Sequence, residues 1–281
     1  MNLDIEIVGF DPKRRFGGLA RLYGETGATR IQAAHVVVVG LGGVGSWTAE
    51  AAARSGVSHL TLIDFDHVAE SNINRQIHAT DATLGQPKVH AMRDRIGHIN
   101  SACRVECIEE FVNSSNWSVL MSDYLHVDRS LFAVVDACDQ VNAKTTMAAW
   151  AEQNKTYLIT VGAAGGKRHA HKVDVDDLSV VTHDPLLAKM RYKLRKQHGA
   201  SRVGNMNLTC VFSRESVTKP KTSHQTLIVE PFQKETIPTL PMLGRNDGTL
   251  NCQGYGSVVS VTSTFGMCAA SWVFNKIAGA T

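Results

Sequence analysis

Several residues in the first half of this sequence have the types and spacing that nucleotide chemistry needs. Gly40, Gly42 and Gly45 fit G-x-G-x-x-G, with Gly43 a further glycine inside the pattern. The run follows HVVVVG from His35 to Gly40 and precedes a helical pattern from Trp47 to Ser55. There, glycines permit a tight turn and close approach of the backbone to a phosphate, and the helix N-terminus favours the anion. Glycines serving only the turn would look the same. Asp64 ends the next apolar run, Leu60 to Asp64, 19 positions after Gly45. A carboxylate there accepts hydrogen bonds from ribose hydroxyls. These two features alone suit a nicotinamide dinucleotide as well as ATP.

The next residues favour ATP. Asn72-Ile73-Asn74-Arg75-Gln76 lies just beyond Asp64, and Lys88 follows twelve residues after Gln76. Backbone N–H groups suffice for a dinucleotide's pyrophosphate. A triphosphate brings more charge, which Arg75 and Lys88 can neutralise as pyrophosphate leaves. The plain alternative is two solvated cations. Asp136 closes the apolar run Leu131 to Ala137, with Asp139 three positions on. A carboxylate at the carboxyl end of a parallel strand faces the ligand crevice, so Asp136 is the expected catalytic and Mg2+-binding carboxylate. Asp139 is the better cap for a helix beginning at Val141.

These residues require a scaffold of alternating strands and helices. Strands are expected at His35–Gly40, Leu60–Asp64, Arg104–Val112, Leu131–Ala137 and Thr156–Val161, with helices at Lys88–Asn100 and Val141–Asn154. That order predicts an α/β, Rossmann-like doubly wound sheet with helices on both faces. We read residues 1–281 as one unit: a nucleotide-binding core over 30–165 and an extension over 166–281 for substrate recognition and dimer packing. The extension holds a basic helix, Asp184–Gln197, and a strand, Leu208–Glu215. It continues with a Pro/Thr/Ser-rich loop, Ser216–Gly248, and an uncharged stretch, Gly248–Asn275. The last stretch is a buried core helix or a membrane-associated segment.

Composition sets outer bounds. The 281 residues are 43% hydrophobic and 20% charged, with formal net charge +3, which excludes an acidic disordered chain. The charge is uneven: residues 1–182 carry −4, residues 183–221 carry +7 and residues 222–281 are neutral. Lys189, Arg191, Lys193, Arg195 and Lys196, followed by Arg202, make a helical basic run with Tyr192 among them. It suits RNA phosphates and a stacked base, or an ordinary solvated face. Lys167, Arg168, His169, His171 and Lys172 form a second basic cluster. Six scattered cysteines form no C-x-x-C pair, so neither a disulfide framework nor a zinc site is expected. MNLDIEIVGFDPKRR at the start has no apolar core of a secretory signal, so a cytoplasmic location is expected.

In this order the glycine loop, Asp64, Asn72, Arg75, Lys88 and Asp136 resemble the ubiquitin-activating-enzyme-like family of adenylyltransferases over about residues 30–165. A longer match runs through nearly the whole chain. Arg15-Phe16-Gly17-Gly18, Ala20 to Glu25, Asn74 to Ala79, Gly162 to Gly166, Asp184-Pro185-Leu186 with Ala188-Lys189, and Cys210 to Ser213 resemble the tRNA threonylcarbamoyladenosine dehydratase branch of that family. The resemblance implies adenylation of a threonyl carboxylate on a tRNA adenosine next to the anticodon, followed by ring closure and release of AMP. The other activity it implies is adenylation of the C-terminus of a ubiquitin-like or sulfur-carrier protein. It places the backbone of Gly42 and Gly43, with Arg75 and Lys88, at the phosphates, Asp64 at the ribose, Asn72 near the phosphates and Asp136 near Mg2+. It also implies a homodimer and cysteine desulfurase or sulfur-acceptor partners. The family's N-terminal arginine, which reaches the partner subunit's ATP, falls at Gly18, leaving Arg15 or Arg21 to substitute. Cys252 lies where some relatives carry a thioester cysteine. No local base motif accompanies it, so a packed thiol is the expectation.

Overall fold

The computed structural model describes residues 10–218 and 255–279. Its strands are β1 (His35–Val39), β2 (His59–Ile63), β3 (Arg104–Ile108), β4 (Phe132–Asp136), β5 (Tyr157–Val161), β6 (Val173–Asp177) and β7 (Thr209–Ser213). They form one sheet in the order β3-β2-β1-β4-β5-β7-β6. All pairs are parallel except the antiparallel β6–β7. The expected doubly wound sheet is present. Strand order reverses between β1 and β4, which opens a crevice at their carboxyl ends.

The helices are α1 (Pro12–Phe16), α2 (Gly18–Gln32), α3 (Gly45–Arg54), α4 (Lys88–Ile99), α5 (Trp117–Leu120), α6 (Val141–Asn154), α7 (Pro185–Gln197) and α8 (Val259–Ala278). β1 shows why its neighbours pack on both sides. All five of its residues are buried, with Val36 and Val38 in one apolar layer and Val37 and Val39 in the other. A run of β-branched residues suits a strand covered on both faces. Each such valine contributes at most about 1.5–3 kcal/mol relative to exposure. Ile31 of α2, Ala49 of α3, Met92 of α4 and Phe265 of α8 fill the first layer, and Trp117 of α5, Met147 of α6 and Met190 of α7 the second.

The uncharged C-terminal stretch resolves into a core helix. Val261, Phe265, Ala269, Ala270, Val273 and Ile277 of α8 are buried. Gly266 lets α8 lie against α3: a Cβ there would stand 2.5 Å from the Val44 carbonyl oxygen, and Thr48 Oγ1 donates to the Gly266 carbonyl at 3.2 Å. Among the described residues no helix is long and apolar enough to cross a membrane, so nothing in α8 supports membrane association. The expected Ser216–Gly248 loop lies outside the described residues from 219 onward, as does Cys252.

Candidate active site

A cavity of about 470 Å³ opens at the carboxyl ends of the central strands. Gly40, Gly42 and Gly43 line it after β1, and Asp64 lines it after β2. Asp139 and Gln140 follow β4, and Gly162 to Gly165 follow β5. Asn72, Arg75 and Lys88 close one side. The structure thus brings together residues spread over more than a hundred positions.

The glycine loop is shaped by two steric demands. Gly40 has φ +87°, and a Cβ on it would lie 2.9 Å from the Ala137 carbonyl oxygen, so β1 can turn only with glycine there. At Gly45 a Cβ would lie 1.8 Å from the Gly40 carbonyl oxygen. Gly45 is not among the residues that line the cavity; its missing Cβ lets α3 start directly beneath the loop.

Asp64 is tied to that loop. The Leu41 N–H donates to its Oδ2 at 2.5 Å and the Asp66 N–H to its Oδ1 at 2.8 Å. Burial raises its pKa, with Lys88 and the two backbone donors opposing the rise. Lys88, the first residue of α4, is 5% exposed and pairs with Asp66 Oδ2 at 2.7 Å. Arg75 donates from Nη1 to the Ser71 carbonyl at 2.6 Å and to Asn74 Oδ1 at 2.9 Å. Burial lowers its pKa, and its guanidinium stays charged regardless. Asn72 Oδ1 accepts from the Ala69 N–H at 3.0 Å, so its side chain braces the turn that carries Arg75.

Asp136 is not where the spacing suggested. It is fully buried and outside the cavity lining. Its Oδ1 accepts from Lys144 Nζ at 3.0 Å and its Oδ2 from Thr160 Oγ1 at 2.5 Å. Lys144 Nζ also donates to the Val161 carbonyl at 2.7 Å. Burial works against the Lys144 ammonium, yet the adjacent Asp136 carboxylate holds its pKa above the ordinary lysine value. Both sides of this pair are sealed from solvent, so Asp136 knits β4, β5 and α6 together. The carboxylate presented to the cavity from this strand is Asp139.

A family model for the ThiF family matches residues 16–280. The chain belongs to the ThiF family. The tRNA threonylcarbamoyladenosine dehydratase of Escherichia coli (strain K12) is 38% identical over 268 residues, which span 94% of each chain. Solved structures of the E. coli enzyme, TcdA, in complex with ATP and with AMP are each 37% identical over 94% of both chains, with TM-score 0.78. The E. coli molybdopterin-synthase adenylyltransferase is 33% identical over 138 residues, 49% of this chain and 52% of its own.

This ThiF-family chain also places residues that its motifs did not single out. Phe65 and Phe111 pack against each other at the cavity wall, ring centroids 4.8 Å apart and planes tilted by 33°, each about half exposed. Lys144 was detectable as a lysine on the otherwise apolar face of α6. Tyr255 and Ser257 bring the start of the α8 segment to the cavity; nothing in their types foretold it. Arg21 is exposed on α2 and outside this cavity, whereas Arg15 donates to the Ile99 carbonyl at 2.7 Å. The second basic cluster is only partly a surface. Lys167 is 2% exposed, and its Nζ donates to the carbonyls of His183 and Glu215.

Proposed function

We propose that this chain carries out the ATP-dependent dehydration of threonylcarbamoyladenosine next to the anticodon of tRNA. One observation carries the reading: the glycine loop, Asp64, Arg75, Lys88 and Asp139 line a single cavity, in a chain that aligns over 94% of its length with a dehydratase solved with ATP and with AMP. The carrier-protein alternative rests on relatives that match only about half of the chain.

The chemistry follows from what the residues hold. A carboxylate is a poor acyl electrophile until its oxygen becomes a good leaving group. The threonyl carboxylate oxygen attacks the α-phosphorus of ATP, the bond to the β-phosphate oxygen breaks, and pyrophosphate leaves. The carbamoyl oxygen of the same side chain then attacks the acyl carbon. AMP departs with the carboxylate oxygen, and the carbamoyl N–H loses its proton. Ring closure is intramolecular, so proximity stands in for an enzyme nucleophile. Arg75 and Lys88 neutralise charge on the departing phosphates. Asp64 takes the ribose, and the Phe65–Phe111 pair offers an apolar wall for the base. The loops around the cavity exclude water from the mixed anhydride.

The cavity's charges bear on Mg2+. Asp64, Asp66, Glu110 and Asp139 face only Arg75 and Lys88 in the lining, so a triphosphate entering there adds to an acidic balance. Among the described residues no three His, Cys, Asp or Glu side chains gather into a metal site. Mg2+ travelling with phosphates needs only one or two carboxylates. Asp139 would hold it, and it would supply charge stabilisation to the phosphates. In a homodimer, Arg21 would be the N-terminal arginine that reaches the partner's nucleotide, since Arg15, also exposed, is held at the Ile99 carbonyl. Cysteine desulfurase or sulfur-acceptor partners stay part of the proposal on the family resemblance alone.

The test is mass spectrometry of tRNA nucleosides after incubation of modified tRNA with the protein, ATP and Mg2+. The expected result is loss of one water from threonylcarbamoyladenosine, with one AMP and one pyrophosphate per turnover. Pyrophosphate release that depends on a protein C-terminus and leaves the nucleoside unchanged would overturn the reading in favour of a carrier-protein activator.

A further inference from the structure

Helix α7 begins at the cavity and leads away from it. Pro185 and Leu186, its first turn, line the cavity together with Gln140 and Ala143. The next exposed positions, Ala188, Lys189 and Tyr192, line an adjoining hollow with Val141 and Lys193. On the other side of Tyr192, a second hollow is bounded by Arg191, Arg195, Lys196 and Arg202. At 1.5 Å per residue, Tyr192 stands about 10 Å along the axis from Pro185.

Four features set this surface apart from an ordinary solvated helix face. The helix contains no acidic residue to balance its cations. Tyr192 is 64% exposed, although burying an aromatic ring is strongly favourable. Lys196 Nζ lies over the Tyr192 ring, 5.8 Å from its centroid, which puts a cation on one face of this exposed aromatic. Lys189, also exposed, has no ion-pair partner among the described residues. Unpaired RNA bases stack on such rings while flanking cations hold the backbone.

We propose that α7 is the platform for the RNA strand beside the reacting nucleotide, with Tyr192 stacking an unpaired flanking base and Lys189, Lys196 and Arg202 holding its phosphates. The proposal rests on the tRNA reading above and adds a residue that positions that substrate.

The test uses the full chain and tRNA carrying threonylcarbamoyladenosine, with tRNA affinity measured by fluorescence anisotropy and ATP affinity measured separately. Tyr192→Ala should weaken tRNA binding between about 5-fold and about 150-fold, the range expected for one stacked base. Tyr192→Phe should stay within about 2-fold of wild type. The Lys189→Ala/Lys196→Ala double variant should lower the slope of log affinity against log salt by about 1.4. ATP affinity should be unchanged in all three. Wild-type dehydration of tRNA with Tyr192→Ala binding as tightly as wild type would overturn the platform alone. Absence of tRNA binding by the wild-type chain would overturn the platform and the functional reading together.

Discussion

Replacing Lys144 with methionine removes the ammonium from a carboxylate that water cannot reach. Asp136 and Lys144 are both 0% exposed, and their contact is 3.0 Å. Stripping one partner from a buried pair costs about 3–5 kcal/mol, because the remaining charge is left uncompensated. The Thr160 hydroxyl still donates to Asp136, which places the loss toward the lower end of that range. For a chain of this size about 2–4 °C of melting temperature accompanies each kcal/mol. Lys144→Met should therefore melt roughly 6–20 °C below wild type. The Asp136→Asn/Lys144→Met double variant should recover most of the loss, since a neutral pair needs no compensating charge. Urea denaturation with an unchanged m-value is the measurement. Asp139→Asn should behave oppositely: stability within about 1 kcal/mol of wild type, and AMP formation lower by about 10²–10³-fold. A Lys144→Met cost below about 1 kcal/mol would refute this assignment. So would Asp136→Asn that abolishes AMP formation without loss of stability, since that outcome returns Asp136 to the metal.

Three further outcomes are expected. Lys88→Ala should lower AMP formation about 10²–10³-fold through lost charge neutralisation, and single-turnover assays at saturating ATP check it; an unchanged rate contradicts the phosphate role. His35 is buried with its ring stacked 3.6 Å from that of His59, and burial, followed by the His59 charge, lowers its pKa to about 3. The folded pKa lies below the unfolded value of about 6.5, so this contribution is intact above pH ~6.5 and is lost as pH falls toward 3. One such histidine removes about 2 kcal/mol between pH 7 and pH 5; His35→Asn should shrink the difference between urea midpoints at those pH values, and equal differences would count against it. Cys252→Ala should keep substantial dehydratase activity, because ring closure needs no enzyme thiol; loss of turnover with ATP binding intact would sink the cysteine-free mechanism.

The central sheet was legible because β1, β2, β4 and β5 are apolar runs bounded by turn residues, and a strand buried on both faces needs that composition. β6 was missed although Val173-Asp174-Val175-Asp176 alternates. A short edge strand pairs antiparallel with β7 only after β7 has crossed back into the sheet, and no local pattern encodes that return. The N-terminal helices α1 and α2 depend likewise on packing: α2 carries a non-helical Gly24 in its middle.

Asp136 and Asp139 show how far spacing reaches. Both follow an apolar run, yet Asp136 is still in register with Val39 and Thr160 inside the sheet, while Asp139 lies beyond the turn at the mouth. The deciding residue was Lys144. A lysine on the buried face of α6 requires a buried anion, and Asp136, the carboxylate that ends the preceding strand, is that anion. Segment charge has a similar limit. The +7 over residues 183–221 locates a basic footprint, but Arg191 donates to the Leu178 and Val181 carbonyls, Arg195 to the Ser201 carbonyl and Lys193 to Asn142. Those donors organise the extension and tie it to α6. The cations left facing outward beside Tyr192 are Lys189, Lys196 and Arg202, so the salt dependence of tRNA binding should follow these three more than the segment's net charge.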